Sequence, residues 1–221
     1  MKTDNFKKYI PIDNQNHSAL ERSTTYRNFL SQRRSLRFFS DKAVSKKTIE
    51  NIIMTASSAP SGAHKQPWTF CAISSASIKA KIREAAEKEE YTSYNGRMSD
   101  EWLEDLKKFD TDWNKPFIDT APWIVVVFKK AYDLDKDGNK MKNYYVNESV
   151  GIAAGFFISA VHNAGLVTLT HTPSPMNFLQ KLLDRPDNER PFLLLPVGYP
   201  ADDAVVPVLN RKGVEDVIVY Y

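Results

Sequence analysis

A chain of 221 residues with 42% hydrophobic and 26% charged side chains can bury a sizeable core and suits one compact domain better than two. Its formal net charge is only +3, with both signs interleaved, so it offers no broad electrostatic footprint for nucleic acid. The one cysteine, Cys71, cannot pair within the chain, and the N-terminus carries Lys and Asp in place of the apolar run a signal peptide needs. A reducing, cytoplasmic setting is therefore expected, and secretion is not.

After an N-terminal helix, Ser45 is placed to cap a second one in which Ile49, Ile52, Ile53 and Ala56 share a face. That helix should stop near Ala59-Pro60. Trp68 to Ile73 reads as a strand, Ile78 to about Tyr94 as a charged helix, and about Asp100 to Trp113 as a second polar one. Trp123 to Phe128 is a continuous apolar run typical of a strand buried on both faces. Asp133 to Lys140 reads as a loop.

From about Lys142 to Asn163 a long helix is apolar around its middle, with Gly151 and Gly155 on one side where another backbone could pack close, at a subunit interface for instance. Its most apolar part, Val150 to Val161, is far shorter than the roughly 20 residues needed to cross a bilayer, so no membrane span is expected. A short strand (Leu166 to Thr170), a short helix (Asn177 to Leu183) and two strands (Phe192 to Val197 and Val214 to Tyr220) complete the reading. Helices and strands mix throughout, which gives an α+β or α/β class and leaves the sheet order open.

Two clusters stand out as chemistry. Arg33-Arg34-Ser35-Leu36-Arg37 sets guanidiniums and a hydroxyl side by side, and planar guanidinium donors match phosphate oxygens. Alone, such a cluster is as well explained by a solvated basic turn. The second, Ala59-Pro60-Ser61-Gly62-Ala63-His64-Lys65-Gln66-Pro67-Trp68, is a stiff turn in which small residues let the backbone approach a planar ligand.

The pair RRSLRFFS and APSGAHKQPWTF resembles the two N-terminal signatures of the nitroreductase superfamily, dimeric proteins that hold flavin mononucleotide (FMN) between subunits. Most of that superfamily has Asn where His64 stands. The APSGAH form, with NAGLVTLTHTP (163 to 173) and LLLPVGYP (193 to 200), is similar to its iodotyrosine deiodinase branch, and the likeness runs from roughly Arg33 to Val219. The animal members carry an N-terminal membrane anchor that this sequence lacks, which implies a soluble form.

The resemblance implies an α+β nitroreductase fold with a central mixed or antiparallel sheet flanked by helices, in an intertwined homodimer. It implies one FMN-binding domain over 1–221, with an N-terminal arm and helix over 1–32 and an active-site lid over about 88–116. Arg33, Arg34, Ser35, Arg37 and Arg211 would hold the flavin phosphate and ribityl end. Pro60, Ser61 and Gly62 would line one edge of the ring; Thr170, His171 and Thr172 would reach the other, with the Thr172 hydroxyl near N5, where a hydrogen bond stabilises the one-electron reduced ring. The bland reading of Thr172 is a strand-end threonine capping a turn before Pro173.

For substrate, Glu90 would bind an ammonium, Tyr94 and Lys115 a carboxylate, and the Ala63 N–H a phenolate. Glu90 and Tyr94 are four apart in the predicted charged helix, hence on one face. Taken singly, each is more ordinarily surface charge.

The implied reaction is reductive dehalogenation of 3-iodotyrosine and 3,5-diiodotyrosine to tyrosine and halide, extending to bromo- and chlorotyrosines. An electron donor is implied, NADPH directly or via a reductase; no metal is. The alternatives are an FMN-dependent NAD(P)H nitroreductase or quinone reductase, and a non-catalytic flavin-binding sensor of aromatic amino acids.

Overall fold

The computed structural model describes residues 6–12 and 17–221. The chain divides into two compact units, Met1–Arg33 and Arg34–Tyr221. In the first, α1 (Ala19–Ser31) starts at a reciprocal cap: Ser18 Oγ accepts from the Glu21 amide at 3.2 Å while the Glu21 carboxylate accepts from the Ser18 amide at 2.7 Å. The helix buries none of its own residues.

The second unit is built on a four-stranded sheet. β1 (Trp68–Ile73), β2 (Trp123–Lys130), β5 (Val167–Thr168) and β6 (Glu189–Gly198) lie in the order β1-β2-β6-β5, every pair antiparallel. A lone parallel bridge, Ser35 to Thr168, makes the edge mixed. α2 (Lys46–Ser57) and α6 (Val146–Asn163) cover one face of this sheet, where Val125, Val127, Leu195 and Val197 pack with Ile49, Ile52, Val150 and Phe157. α3 (Ala76–Thr92), α5 (Phe117–Thr120) and α7 (Asn177–Leu182) cover the other, with Ile124, Val126, Phe128 and Leu194 packed against Ile82, Ile118 and Leu179. This is why β2 reads as an unbroken apolar run: alternate side chains enter two different cores, and neither face meets water.

Several expectations change. Val214 to Tyr220 is no strand; a single 3₁₀ turn, Val214–Asp216, is followed by irregular chain with Val217, Val219 and Tyr220 exposed. β-Branched and aromatic composition signals a strand only where a sheet edge is available to receive it. The predicted loop at 133–140 is the tip of a hairpin between β3 (Tyr132–Leu134) and β4 (Lys140–Lys142), organised by the Asp135 carboxylate, which accepts from the amides of Asp137 and Asn139 at 2.9 and 2.8 Å. The long helix begins at Val146, not 142, because Tyr145 takes a left-handed backbone at φ 46°. α4 (Asp100–Lys107) stops well short of Trp113, and Asp110 (φ 46°) turns the chain beyond it.

α3 ends at Thr92 and passes into a π turn over Ser93–Arg97. Tyr94 is therefore off the regular helix that carries Glu90, contrary to the reading of one continuous helical face. No helix among the described residues is long and apolar enough to cross a membrane.

Candidate active site

The first cluster is divided by its surroundings. Arg33 closes the first unit, its amide donating to the Leu30 carbonyl at 3.2 Å. In the second unit Arg34 reaches the Pro207 carbonyl through its guanidinium, and Ser35 joins the sheet edge by its bridge to Thr168. Ser35 and Arg37 line a cleft of about 350 Å³ with Phe109, Thr111, Pro116, Phe117 and Val205–Pro207. Arg211 lies exposed in the C-terminal segment.

The second cluster is a tight turn held under conformational strain. Ala63, His64 and Gln66 have φ of 49°, 55° and 47°, a region costly for residues with a Cβ. Internal bonds fix it: the Gln66 amide donates to Ser61 Oγ at 2.9 Å, the His64 amide to the Ser61 carbonyl at 3.0 Å, and the Gly62 amide to Ser149 Oγ of α6 at 3.2 Å. A Cβ on Gly62 would lie 2.8 Å from the Tyr144 carbonyl oxygen, so only glycine lets these backbones meet. Pro60 and Ala63 are exposed beside it.

The third segment, Thr170-His171-Thr172, runs on past β5. His171 makes an isolated antiparallel bridge to Leu194, so its side chain is buried while Thr170 and Thr172 are exposed on the opposite side. Its ring meets Phe117 edge-on, with centroids 5.6 Å apart. Nδ1 is 3.9 Å from Glu90 Oε1, whereas buried Nε2 has no hydrogen-bond partner among the described residues. Burial, reinforced by the Lys115 and Arg37 charges, pushes the imidazole down to about 3, so it is neutral near pH 7.

Glu90, Tyr94 and Lys115 converge here despite the broken helix. Lys115 Nζ is 3.7 Å from Glu90 Oε2 and 5.4 Å from the centre of the Tyr94 ring. Glu90 and Lys115 are both buried, and the ammonium is held further by the Asp112 carbonyl and by Thr111 Oγ1 at 3.4 Å. The Tyr94 hydroxyl donates to the Thr111 carbonyl at 3.2 Å. Burial raises the Glu90 carboxyl against the pull of Lys115 and lowers the Lys115 ammonium against the pull of Glu90. Arg37 acts on Tyr94, Lys115 and His171 alike, so the half-buried guanidinium ties the predicted flavin residues to the predicted substrate residues.

Glu90, Tyr94, Lys115, His171 and Arg37 therefore form one cluster. The Pro60–Ala63 turn is organised elsewhere, on Ser149 and Tyr144. Sequence reasoning missed Thr111, Asp112, Phe109 and Phe117, whose roles follow from loop geometry that no periodicity announces. It also missed Arg83 and Glu87, whose i, i+4 spacing in a charged helix was a legible signal.

The family comparison agrees with this geometry: residues 30–199 match the nitroreductase family, and the chain belongs to it. Within that family it is similar to an iodotyrosine deiodinase of Haliscomenobacter hydrossis, at 62% identity over 98% of this chain and 97% of that one. An iodotyrosine deiodinase of Danio rerio is 45% identical over 96% of this chain and 72% of its own length. Among solved structures, oxidized iodotyrosine deiodinase bound to FMN and 3-iodo-L-tyrosine superposes with a TM-score of 0.75 at 29% identity, covering 89% of this chain and 98% of that one.

Proposed function

We propose that this chain is an FMN-dependent iodotyrosine deiodinase, reducing 3-iodotyrosine and 3,5-diiodotyrosine to tyrosine and iodide and accepting bromo- and chlorotyrosines as well. The observation that carries this reading is the meeting of a buried carboxylate and ammonium, Glu90 and Lys115, with the half-buried phenol of Tyr94. An amino-acid zwitterion stripped of water needs one acceptor and matched donors, and this cluster supplies both. A nitroreductase or quinone reductase has no use for such a clamp.

The residues suit a flavin. Arg34 and Arg211 would offer cations for a phosphate, with Ser35 and Arg37 holding the phosphate and ribityl end. The buried Nε2 of His171, without a partner among the described residues, and the positive φ of Ala63, His64 and Gln66 are features that suit a ligand. Bound FMN would supply the two electrons that, with one proton, replace the carbon–iodine bond by carbon–hydrogen and release iodide.

The chain's own residues do the rest. Without substrate, Glu90 and Lys115 face one another; a zwitterion entering between them takes its ammonium to Glu90 and its carboxylate to Lys115 and Tyr94, exchanging one set of charge partners for another. The Ala63 amide would donate to the phenolate, and the Thr172 hydroxyl would offer the bound flavin a hydrogen bond that favours its one-electron reduced form. The segment 88–116 acts as the lid, excluding water as these contacts form.

A homodimer belongs to this reading. It is supported by the outward face of α6, where Gly151, Ile152, Gly155 and Phe156 are exposed, and by the uncovered apolar tail Val217–Tyr221. NADPH, directly or via a reductase, is the donor, and the setting is cytoplasmic.

The test is incubation of flavin-loaded protein with 3,5-diiodotyrosine and dithionite, followed by measurement of tyrosine and iodide. Stoichiometric release of both is expected; protein that binds FMN yet leaves diiodotyrosine intact would overturn the assignment.

A further inference from the structure

We infer that Arg83 and Glu87 are positioning residues for substrate: they tie the Lys115 amide and the side chains of Asn114 and Asp119 to the helix that carries Glu90, and so set the gap into which the zwitterion fits. The inference rests on the reading of Glu90, Tyr94 and Lys115 as a clamp.

The geometry is specific. The Lys115 amide donates to Glu87 Oε1 at 2.8 Å, and the same oxygen accepts from Arg83 Nε at 2.7 Å. The guanidinium then forks: Nη2 donates to Asn114 Oδ1 at 2.9 Å and Nη1 to Asp119 Oδ2 at 2.8 Å. One arginine thereby holds the residue before Lys115 and, within α5, a residue just after it, while its carboxylate partner holds Lys115 itself. Arg83, Glu87 and Glu90 fall at i, i+4 and i+7, so the bracket and the Glu90 carboxylate stand on one face of α3.

The Arg83 and Glu87 side chains are 28% and 19% exposed, so the pair is partly buried and only partly screened by water. What the pair does control is position. Between Lys107 and Phe117 the chain has no helix or strand of its own, and the Lys115 ammonium takes its other partners, Thr111 and Asp112, from that same loop. Lys79, also on α3, holds the Asp119 and Ala121 carbonyls at 2.8 Å, and Tyr91 meets Trp113 edge-on, but Glu87 is the α3 side chain that takes the Lys115 amide itself. Misplacement of a binding group by about 1 Å can cost on the order of a hundredfold.

The experiment titrates FMN-loaded protein with 3-iodotyrosine and with 3-iodotyramine, which keeps phenol and ammonium but lacks the carboxylate, following the bound flavin's visible spectrum. Glu87→Ala is expected to weaken iodotyrosine by about tenfold or more and iodotyramine by less than about threefold, with FMN affinity unchanged. Glu87→Gln, which keeps an acceptor for the Lys115 amide, should recover most of the loss. Unchanged iodotyrosine affinity in Glu87→Ala overturns the inference, as does equal weakening of both ligands, the signature of a merely structural role. If Glu87→Ala does not fold, Arg83→Lys, which keeps the charge and loses the fork, is judged by the same two outcomes. Failure of the parent protein to bind iodotyrosine would instead overturn the clamp reading and this inference with it.

Discussion

Strand β2 and the cluster of Glu90, Lys115 and His171 are both buried, and they are buried in opposite ways. In β2, Ile124 to Phe128 are fully inaccessible, every side chain is apolar, and the backbone pairs with β1 on one side and β6 on the other. The chain satisfies itself there. In the second region the buried groups are a carboxylate, an ammonium and an imidazole. The Glu90–Lys115 contact of 3.7 Å is long for a charge-assisted hydrogen bond, and the His171 Nε2 has no partner among the described residues. Where the interior is complete it makes a fold; where buried charge is left half-satisfied it makes a binding site whose last partner comes from outside.

That contrast can be broken from either side. The largest effect should come from the core: Phe157→Ala removes a ring stacked 6.0 Å from Phe70 between α6 and the sheet, and should cost about 3–5 kcal/mol in urea unfolding. A loss below about 1 kcal/mol would mean the core is not close-packed there. Glu90→Gln should act the other way round. Halotyrosine affinity should fall by about a hundredfold or more, with FMN still bound and the urea midpoint little changed, since the shape survives and only the charge facing an ammonium is lost. Calorimetric titration showing near-native affinity would remove Glu90 from the clamp. Smaller again, Gly62→Ala forces a Cβ against the Tyr144 carbonyl and should cost roughly 1–3 kcal/mol of stability. It should also weaken FMN binding, read by release of flavin fluorescence.

How much of this was legible follows the same division. The core elements were readable because hydrophobic periodicity is a local record of burial: Ile49, Ile52 and Ala56 on α2 and the run in β2 stand where their spacing put them. The 214–220 segment misled because a strand-like composition says nothing about whether a neighbour exists to pair with. In the site, Glu90, Tyr94 and Lys115 were found through motif resemblance, and the reason given for two of them, a shared helical face, does not survive the π turn. What brings them together is a loop, and loop geometry depends on contacts such as Glu87 to the Lys115 amide that join residues 28 apart in sequence.

His171 provides the finest test of the contrast, because its effect should be small and its sign is fixed. Folding lowers its pKa from 6.5 to about 3, so the folded state binds fewer protons than the unfolded one over that interval. The stability it permits is complete above pH 6.5 and is lost as pH falls toward 3. Glu90, 3.9 Å away, works against it: its folded pKa is raised above 4.5, so acid relieves its burial while it penalises that of His171. Lys115 and Arg37 are the other charges that face the ring. Removing Glu90's contribution should expose that of His171. In a Glu90→Gln background, the unfolding free energy from urea titration should drop as pH is lowered from 6.5 to 5, by up to about 1 kcal/mol per pH unit, and adding His171→Gln should flatten the slope. Identical slopes in the two proteins would mean that the imidazole is solvated and already has a partner for Nε2, and the picture of a site left incomplete until ligand arrives would fail at its most buried atom.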